Sequence, residues 1–153
     1  PKDLRALSYR ASRLDLKLPL LESVLPSNRQ HLERAIDVAL ALPSSPLGVY
    51  GLAFKEETDD LRESPVLTLV EHLIGKGRDL RIYDPHISLE GIYGSNRTFA
   101  LTAVPHIGRL MVPSLDELLH WARQLIVTQA PPADVARRLA SFEGRVIDLA
   151  GAV

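Results

Sequence analysis

The sequence contains no cysteine. A disulfide framework, a thiolate metal site and a cysteine nucleophile within these 153 residues are therefore excluded. No apolar run approaches the roughly 20 residues that a membrane-spanning helix needs. No signal-peptide pattern opens the chain, and no internal repeat or low-complexity tract interrupts it. Neither sign of charge is in excess: 18 Lys and Arg stand against 19 Asp and Glu, for a formal net charge of −1. No overall field therefore draws the molecule to nucleic acid or to a membrane. Gly48 and Gly51 are present, but no G-x-G-x-x-G dinucleotide fingerprint can be read around them. An initiating Met is also missing. The chain opens at Pro1 and passes straight into a helical pattern, and it reads as a piece of a longer protein. The expected setting is cytoplasmic, with no nucleic-acid and no membrane partner.

What is present falls into two rhythms. Residues 3–16 place Leu4, Leu7, Ala11 and Leu14 at helical spacing, and residues 27–42 do the same with Leu32, Ala35, Ile36, Ala39 and Leu40. Pro26 lies between them. A proline inside a helix removes a hydrogen bond and clashes with the preceding turn, so an interruption is expected near 25–27, with Ser27 or Asn28 capping the restart. The turn signal Pro43-Ser44-Ser45-Pro46 then marks a boundary. This divides the chain into a helical segment, 1–43, and a second unit, 44–153.

In the second unit apolar strands and amphipathic helices alternate. LGVYGLAF (47–54) has no polar face, as a central parallel strand would not. Ser64 and Pro65 open a helix that Gly75 or Gly77 ends. DLRIYDP (79–85) is the next strand, RLMV (109–112) a short third one, QLIVT (124–128) a fourth and RVIDLA (145–150) the last. Ser114 with Glu117 forms a capping box for the helix at 114–122, and 131–142 is a further helix. The pattern predicts an α/β fold: an N-terminal helical segment followed by a Rossmann-like, doubly wound parallel sheet of about five strands, in the order 3-2-1-4-5.

The segment GLAFKEETDDLRESP, residues 51–65, concentrates charge. Lys55, Glu56, Glu57, Asp59, Asp60, Arg62 and Glu63 crowd the ten residues that follow Phe54. In such a fold this loop lies at the carboxyl end of the first strand, where ligands bind, and it exceeds the usual ~2–6 residues of a strand-to-helix turn. Its charges are read either as a binding lip or as a solvated turn. Asp84, at the end of the second strand, stands where a dinucleotide site keeps its ribose-binding acid, or it simply opens an Asp-Pro turn. The five histidines, His31, His72, His86, His106 and His120, show no metal-ligand spacing, and no metal site is expected.

The same segment resembles the signature of the nucleotide-sugar 6-dehydrogenases, the family of the UDP-glucose and GDP-mannose enzymes. The opening PKDLRALSYRASRLD resembles the residues that follow the catalytic cysteine of that family. TDDLRESP, HLIGKG and the SLDEL helix also fit, closest to the members that act on GDP-mannose. The likeness spans nearly the whole chain.

The resemblance implies a larger enzyme. An N-terminal domain would bind NAD, a central helical region would form a homodimer, and a C-terminal Rossmann-like domain would bind the nucleotide sugar. The sugar alcohol would be oxidised to an acid with two NAD through a cysteine thioester. By position, Lys2 and Arg62 match residues on the cofactor side. Lys55, with Phe54 beside it, matches the sugar-nucleotide contact. Asp3 matches the catalytic aspartate that assists water and proton handling in thioester hydrolysis. Lys2 and Asp3 also fit a bland role, as the first turn of a helix where Asp is favoured. Glu56 and Glu57 stand where close members have small residues. Taken alone, the chain is expected to be inactive, and the stripe of Leu32, Ile36, Ala39 and Leu40 is expected to dimerise. A non-catalytic nucleotide-sugar-binding module and a mainly dimerising segment are the competing readings.

Overall fold

The computed structural model describes residues 2–53, 61, 64–87 and 104–153, and of Lys2 the backbone only. In chain order the elements are α1 (Lys2–Arg13), α2 (Pro19–Leu40), β1 (Leu47–Tyr50), α3 (Pro65–Gly75), β2 (Leu80–Tyr83), α4 (Ile107–Leu110), α5 (Leu115–Trp121), β3 (Gln124–Val127), α6 (Ala133–Ala140) and β4 (Arg145–Asp148).

Every residue of β1 and β3 is buried, as in central strands covered on both faces, with Gln124 at the start of β3 the one polar residue among them. They pair with each other at the centre of a four-stranded, all-parallel sheet ordered β2-β1-β3-β4. Alternation along these strands feeds two cores. Leu47, Val49 and Ile126 join one cluster with α2 and α3, including Ile36, Leu69 and Leu73. Tyr50, Leu125 and Val127 join the other with α5 and α6, including Leu118 and Leu139. Helices thus cover both faces, as expected of a doubly wound sheet.

The expected third strand at 109–112 contracts to one bridge, Met111 to Ile82, backed by the Val112 N–H donating to Ile82 O at 2.9 Å. It sits outside β2, the position the expected order gave it. Ile107–Leu110 winds as a single helical turn with Ile107 fully buried. Pro113 follows directly and brings no N–H to carry a ladder onward. The sheet therefore has four strands among the described residues rather than about five.

Helix α2 departs from expectation more sharply. It runs unbroken through Pro26 from Pro19, which takes the first helical turn. Pro26 forfeits one hydrogen bond. A break there would orphan as many as four carbonyls on one side and four N–H groups on the other, so continuing costs less than stopping. The apolar stripe of this helix is not left open. Ile36 and Ala39 are buried, and Leu32 and Leu40 pack partly buried against the first core. The stripe folds onto the chain's own sheet, because a helix entering the sheet across only six residues (41–46) comes down over β1.

That entry is fixed from below by Arg78. Its guanidinium donates to Leu42 O and Pro43 O, both at 2.8 Å. Pro46 O accepts the N–H groups of Arg123 and Gln124 at 2.9 and 3.2 Å.

With the stripe serving the internal core, Ile36→Ala should lower stability by about 2–4 kcal/mol through lost burial and a residual cavity. Chemical denaturation with light scattering checks this. The midpoint should fall while the oligomeric state stays as in the parent.

Candidate functional site

The strand order turns between β1, which leads out to β2, and β3, which leads out to β4. Ligands of open parallel sheets bind at the carboxyl ends beside such a turn. Here the end of β1 is held in an unusual way. The ladder ends with Gly51 N–H donating to Tyr83 O at 2.9 Å and Thr128 N–H to Tyr50 O at 3.0 Å, and side chains from three directions also bond the backbone of residues 50–53. From the β2 side, Asp84 Oδ2 accepts the N–H groups of Leu52 at 2.7 Å and Ala53 at 3.1 Å, while its Oδ1 accepts His86 N–H at 2.8 Å. From the β3 side, the Thr128 hydroxyl lies 2.9 Å from Tyr50 O and 3.0 Å from Gly51 O, and Gln129 Nε2 donates to Ala53 O at 3.0 Å. From the start of α3, Ser64 Oγ donates to Leu52 O at 3.0 Å.

Asp84, Gln129 and Ser64 are all buried. A carboxylate is an acceptor only, with two oxygens, so three backbone donors can satisfy Asp84 without a cation. Gly51 makes the arrangement possible. Its φ is +92°, and an added Cβ would lie 2.7 Å from Thr128 Oγ1 and 2.8 Å from Gln129 Cγ; a side chain is excluded by conformation and by space.

Beside this backbone run, an open cleft of about 730 Å³ lies among α1, α2, the start of α3 and the carboxyl ends of β3 and β4. Arg5, Asn28, Arg29 and His31 bring polar groups to it. Leu32, Val66 and Leu69 give it an apolar wall, and Thr128 and Leu149 close it at the sheet. No carboxylate appears among its described lining residues. The positive end of α3 opens toward it. The cleft therefore suits an anion attached to an apolar or planar group.

The last strand ends in a second inward-turned acid. Asp148 accepts backbone N–H groups from Ala150 and Gly151 on Oδ1, at 2.9 and 2.8 Å, and from Ala152 and Val153 on Oδ2, at 2.6 and 2.8 Å. Burial pushes its pKa up, but the four N–H bonds outweigh burial and hold the carboxyl below its usual value.

The residues expected from the sequence divide as follows. Asp3 is exposed on the first turn of α1. Arg5, two residues further along the same helix, lines the cleft, so α1 brings this end of the chain to the crevice. Lys2 heads α1. Phe54, Lys55 and Arg62 lie outside the described residues. Asp84 proves to be the Asp-Pro turn and more: it clamps the neighbouring strand's exit. Its oxygens are therefore not available to ribose hydroxyls, and Gly51 is walled by Thr128 and Gln129. The β1–β2 crevice does not fit a dinucleotide held in the standard way.

Ser64 precedes α3 as expected but gives its hydroxyl to Leu52 O and does not cap the helix. Ser114 does cap α5, accepting Glu117 N–H at 3.2 Å. The Glu117 carboxylate turns instead to Arg81 at 3.5 Å. The sequence reading passed over Arg5, Arg29, Thr128 and Gln129. A signal for the last two existed: a polar pair directly after the apolar run 125–127 of a central strand falls at the carboxyl edge.

Residues 48–131 match the UDP-glucose/GDP-mannose dehydrogenase family, UDP binding domain. The chain is 38% identical over 153 residues to the GDP-mannose 6-dehydrogenase of Pseudomonas aeruginosa, covering 99% of this chain and 35% of that protein. It is 33% identical over 89 residues to a UDP-glucose 6-dehydrogenase of Bacillus subtilis, covering 56% of this chain and 20% of that protein. A crystal structure of a ternary complex of GDP-mannose dehydrogenase from Pseudomonas aeruginosa superposes with a TM-score of 0.86 at 37% identity, over all of this chain and 35% of that one. A UDP-glucose dehydrogenase from Pyrobaculum islandicum gives 0.73 at 25% identity, over 99% and 33%. The chain thus spans about a third of the length of the relatives it matches.

The ring of amides around Asp148 has a pH signature. A carboxyl held below its unfolded value of about 3.9 adds stability that is present above that value and is lost as pH falls through the lower, folded one. Hydrogen-exchange protection of residues 150–153 should persist from neutral pH down to about 4 and drop below it. In Asp148→Asn the protection should be weak at every pH. Unchanged protection in the variant would show that the amides do not depend on the carboxylate.

Proposed function

The chain belongs to the UDP-glucose/GDP-mannose dehydrogenase family, and from that premise we propose that it is the nucleotide-sugar-binding portion of an NAD-dependent GDP-mannose 6-dehydrogenase. The observation that carries the choice of sugar is the reach of the likeness. In sequence it runs through 99% of the chain at 38% identity for the GDP-mannose enzyme of Pseudomonas aeruginosa and over 56% for the UDP-glucose enzyme of Bacillus subtilis; over the whole fold the GDP-mannose enzyme superposes at a TM-score of 0.86 with 37% identity, the UDP-glucose enzyme of Pyrobaculum islandicum at 0.73 with 25%. The reaction is the four-electron oxidation of the sugar C6 alcohol to the acid, through a thioester on a cysteine elsewhere in the longer protein. The product, a nucleotide-linked uronic acid, suits polysaccharide synthesis of the alginate kind.

In this reading the cleft takes the nucleotide sugar. Its lining of Arg5, Arg29 and His31, free of described carboxylates, supports an anionic ligand. Lys55 and Phe54 contact the substrate where the chain leaves β1. Asp3 serves as general base toward the thioester, a role that suits a carboxylate beside the reacting carbonyl. NAD accepts the hydrides and is held chiefly by another part of the protein, with Lys2 and Arg62 reaching it from this side. The proposal includes a homodimer formed through the helices of residues 1–43. Since Ile36 and Ala39 are buried within the chain, the large apolar residues left exposed for it are Leu7, Tyr9, Leu14, Leu16, Leu18, Leu20 and Val38. A second reading, a UDP-glucose 6-dehydrogenase, draws on Glu56 and Glu57, which depart from the small residues of the GDP-mannose members.

Steady-state NADH formation by the complete protein tests both readings. GDP-mannose should be turned over and UDP-glucose should not; the reverse preference would establish the second reading. Lys55→Ala should raise KM for the sugar nucleotide or lower kcat by about ten- to a hundredfold, the worth of a charge-assisted contact, and Arg62→Ala should act chiefly on KM for NAD. Equal effects of the two substitutions on both substrates would reduce the loop to a charged turn.

A further inference from the structure

Four side chains converge on four consecutive backbone residues at the exit of β1, and this concentration needs a reason. A strand that merely ends requires no buried carboxylate, because its last groups are free to meet water in a loop. Here Asp84 is 4% exposed and Gln129 8% exposed. They approach the chain from opposite sides. Asp84 takes the N–H groups of Leu52 and Ala53, and Gln129 supplies a donor to Ala53 O. Both polar groups of Ala53, the residue immediately before Phe54 and Lys55, are thereby fixed by side chains just past the ends of β2 and β3 rather than by a neighbouring strand.

We infer that Asp84 and Gln129 are positioning residues for the substrate contact: together they fix the backbone of Ala53, the residue that directly precedes Phe54 and Lys55 in the sequence. The inference rests on the reading of Lys55 as a substrate contact.

The chemistry of the pair is specific. Asp84 meets three N–H donors with two acceptor oxygens. An asparagine of the same shape has one acceptor oxygen and turns an NH₂ toward donors it cannot satisfy. Gln129 must donate; a methionine of similar size fills the space but leaves Ala53 O without that partner. Neither side chain is assigned a contact with the reacting atoms. Their effect should pass through Lys55 and should therefore disappear when Lys55 is gone.

The test is a double-mutant cycle on the complete dehydrogenase. Gln129→Met and Asp84→Asn are each made alone and in the Lys55→Ala background, with NADH formation followed at varied GDP-mannose and varied NAD. Each single substitution should raise KM for GDP-mannose by about five- to thirtyfold, the range of one or two lost hydrogen bonds, and leave KM for NAD within about twofold. In the Lys55→Ala background the further change should be under about twofold. A purely structural role would instead multiply the two effects or move both KM values together, and either result overturns the inference. If Lys55→Ala itself leaves the kinetics untouched, the substrate reading of the loop fails first and this inference falls with it. Should Asp84→Asn fail to fold, Gln129→Met carries the cycle alone.

Discussion

The Asp84 carboxylate and the two amides it receives from Leu52 and Ala53 organise the functional edge of this molecule. An isolated buried charge would be intolerable in an apolar interior. This one is tolerable because three backbone donors surround it. The same bonds tie the carboxyl end of β2 to that of β1, and Gln129 and Thr128 extend the tie to β3. Ser64 then joins the start of α3 to the same run. Four elements that arrive from distant parts of the chain are thus registered against one another within four residues. The cleft beside them takes its floor from Thr128 and its wall from α3, so its shape depends on that registration.

Much of this was legible beforehand, and the reasons differ by element. The strands at 47–50 and 124–127 announced themselves through their apolar runs, 47–50 and 125–127, since residues buried on both faces leave little place for a polar side chain. The order of strands followed from alternation with helices, and Met111 occupies the predicted outer place even though Pro113 stops it becoming a strand. What the sequence did not carry was the identity of partners. An apolar stripe with Leu32, Ile36 and Ala39 shows that a helix face will be covered; it does not say whether the cover is a second copy or the chain's own sheet. Pro26 was read by its local penalty, whereas the helix answers to the larger cost of orphaning two sets of termini. The carboxyl edge was legible as the expected place for a site, and the loop residues expected there, Lys55 and Arg62, lie outside the described residues. The cleft-lining Arg5 and Arg29 were not, because they come from helices that precede the sheet by many residues.

The two acids at the strand ends share a logic. Asp84 and Asp148 both stand where a carboxylate is able to face a ligand, and both turn to backbone N–H groups instead. This withdraws negative charge from an edge where Arg5 and Arg29 present cations. A fold that in its dinucleotide-binding form uses a strand-end acid to greet ribose hydroxyls here uses the same position for internal architecture.

Arg78 carries a different consequence, a mechanical one. Its two bonds to Leu42 O and Pro43 O fasten the descending end of α2 beneath the sheet, while Ile36 and Ala39 fasten the helix above. The second half of α2 and the sheet must therefore travel as one rigid piece. The turn at 43–46, which looks from its prolines like a hinge, transmits torque rather than absorbing it. Any swing of α1 against the sheet has to be accommodated upstream, in residues 14–18, where Asp15 already adopts a left-handed φ of 54°. Force applied to the second half of α2 would reach the strands directly, with that helix acting as a lever.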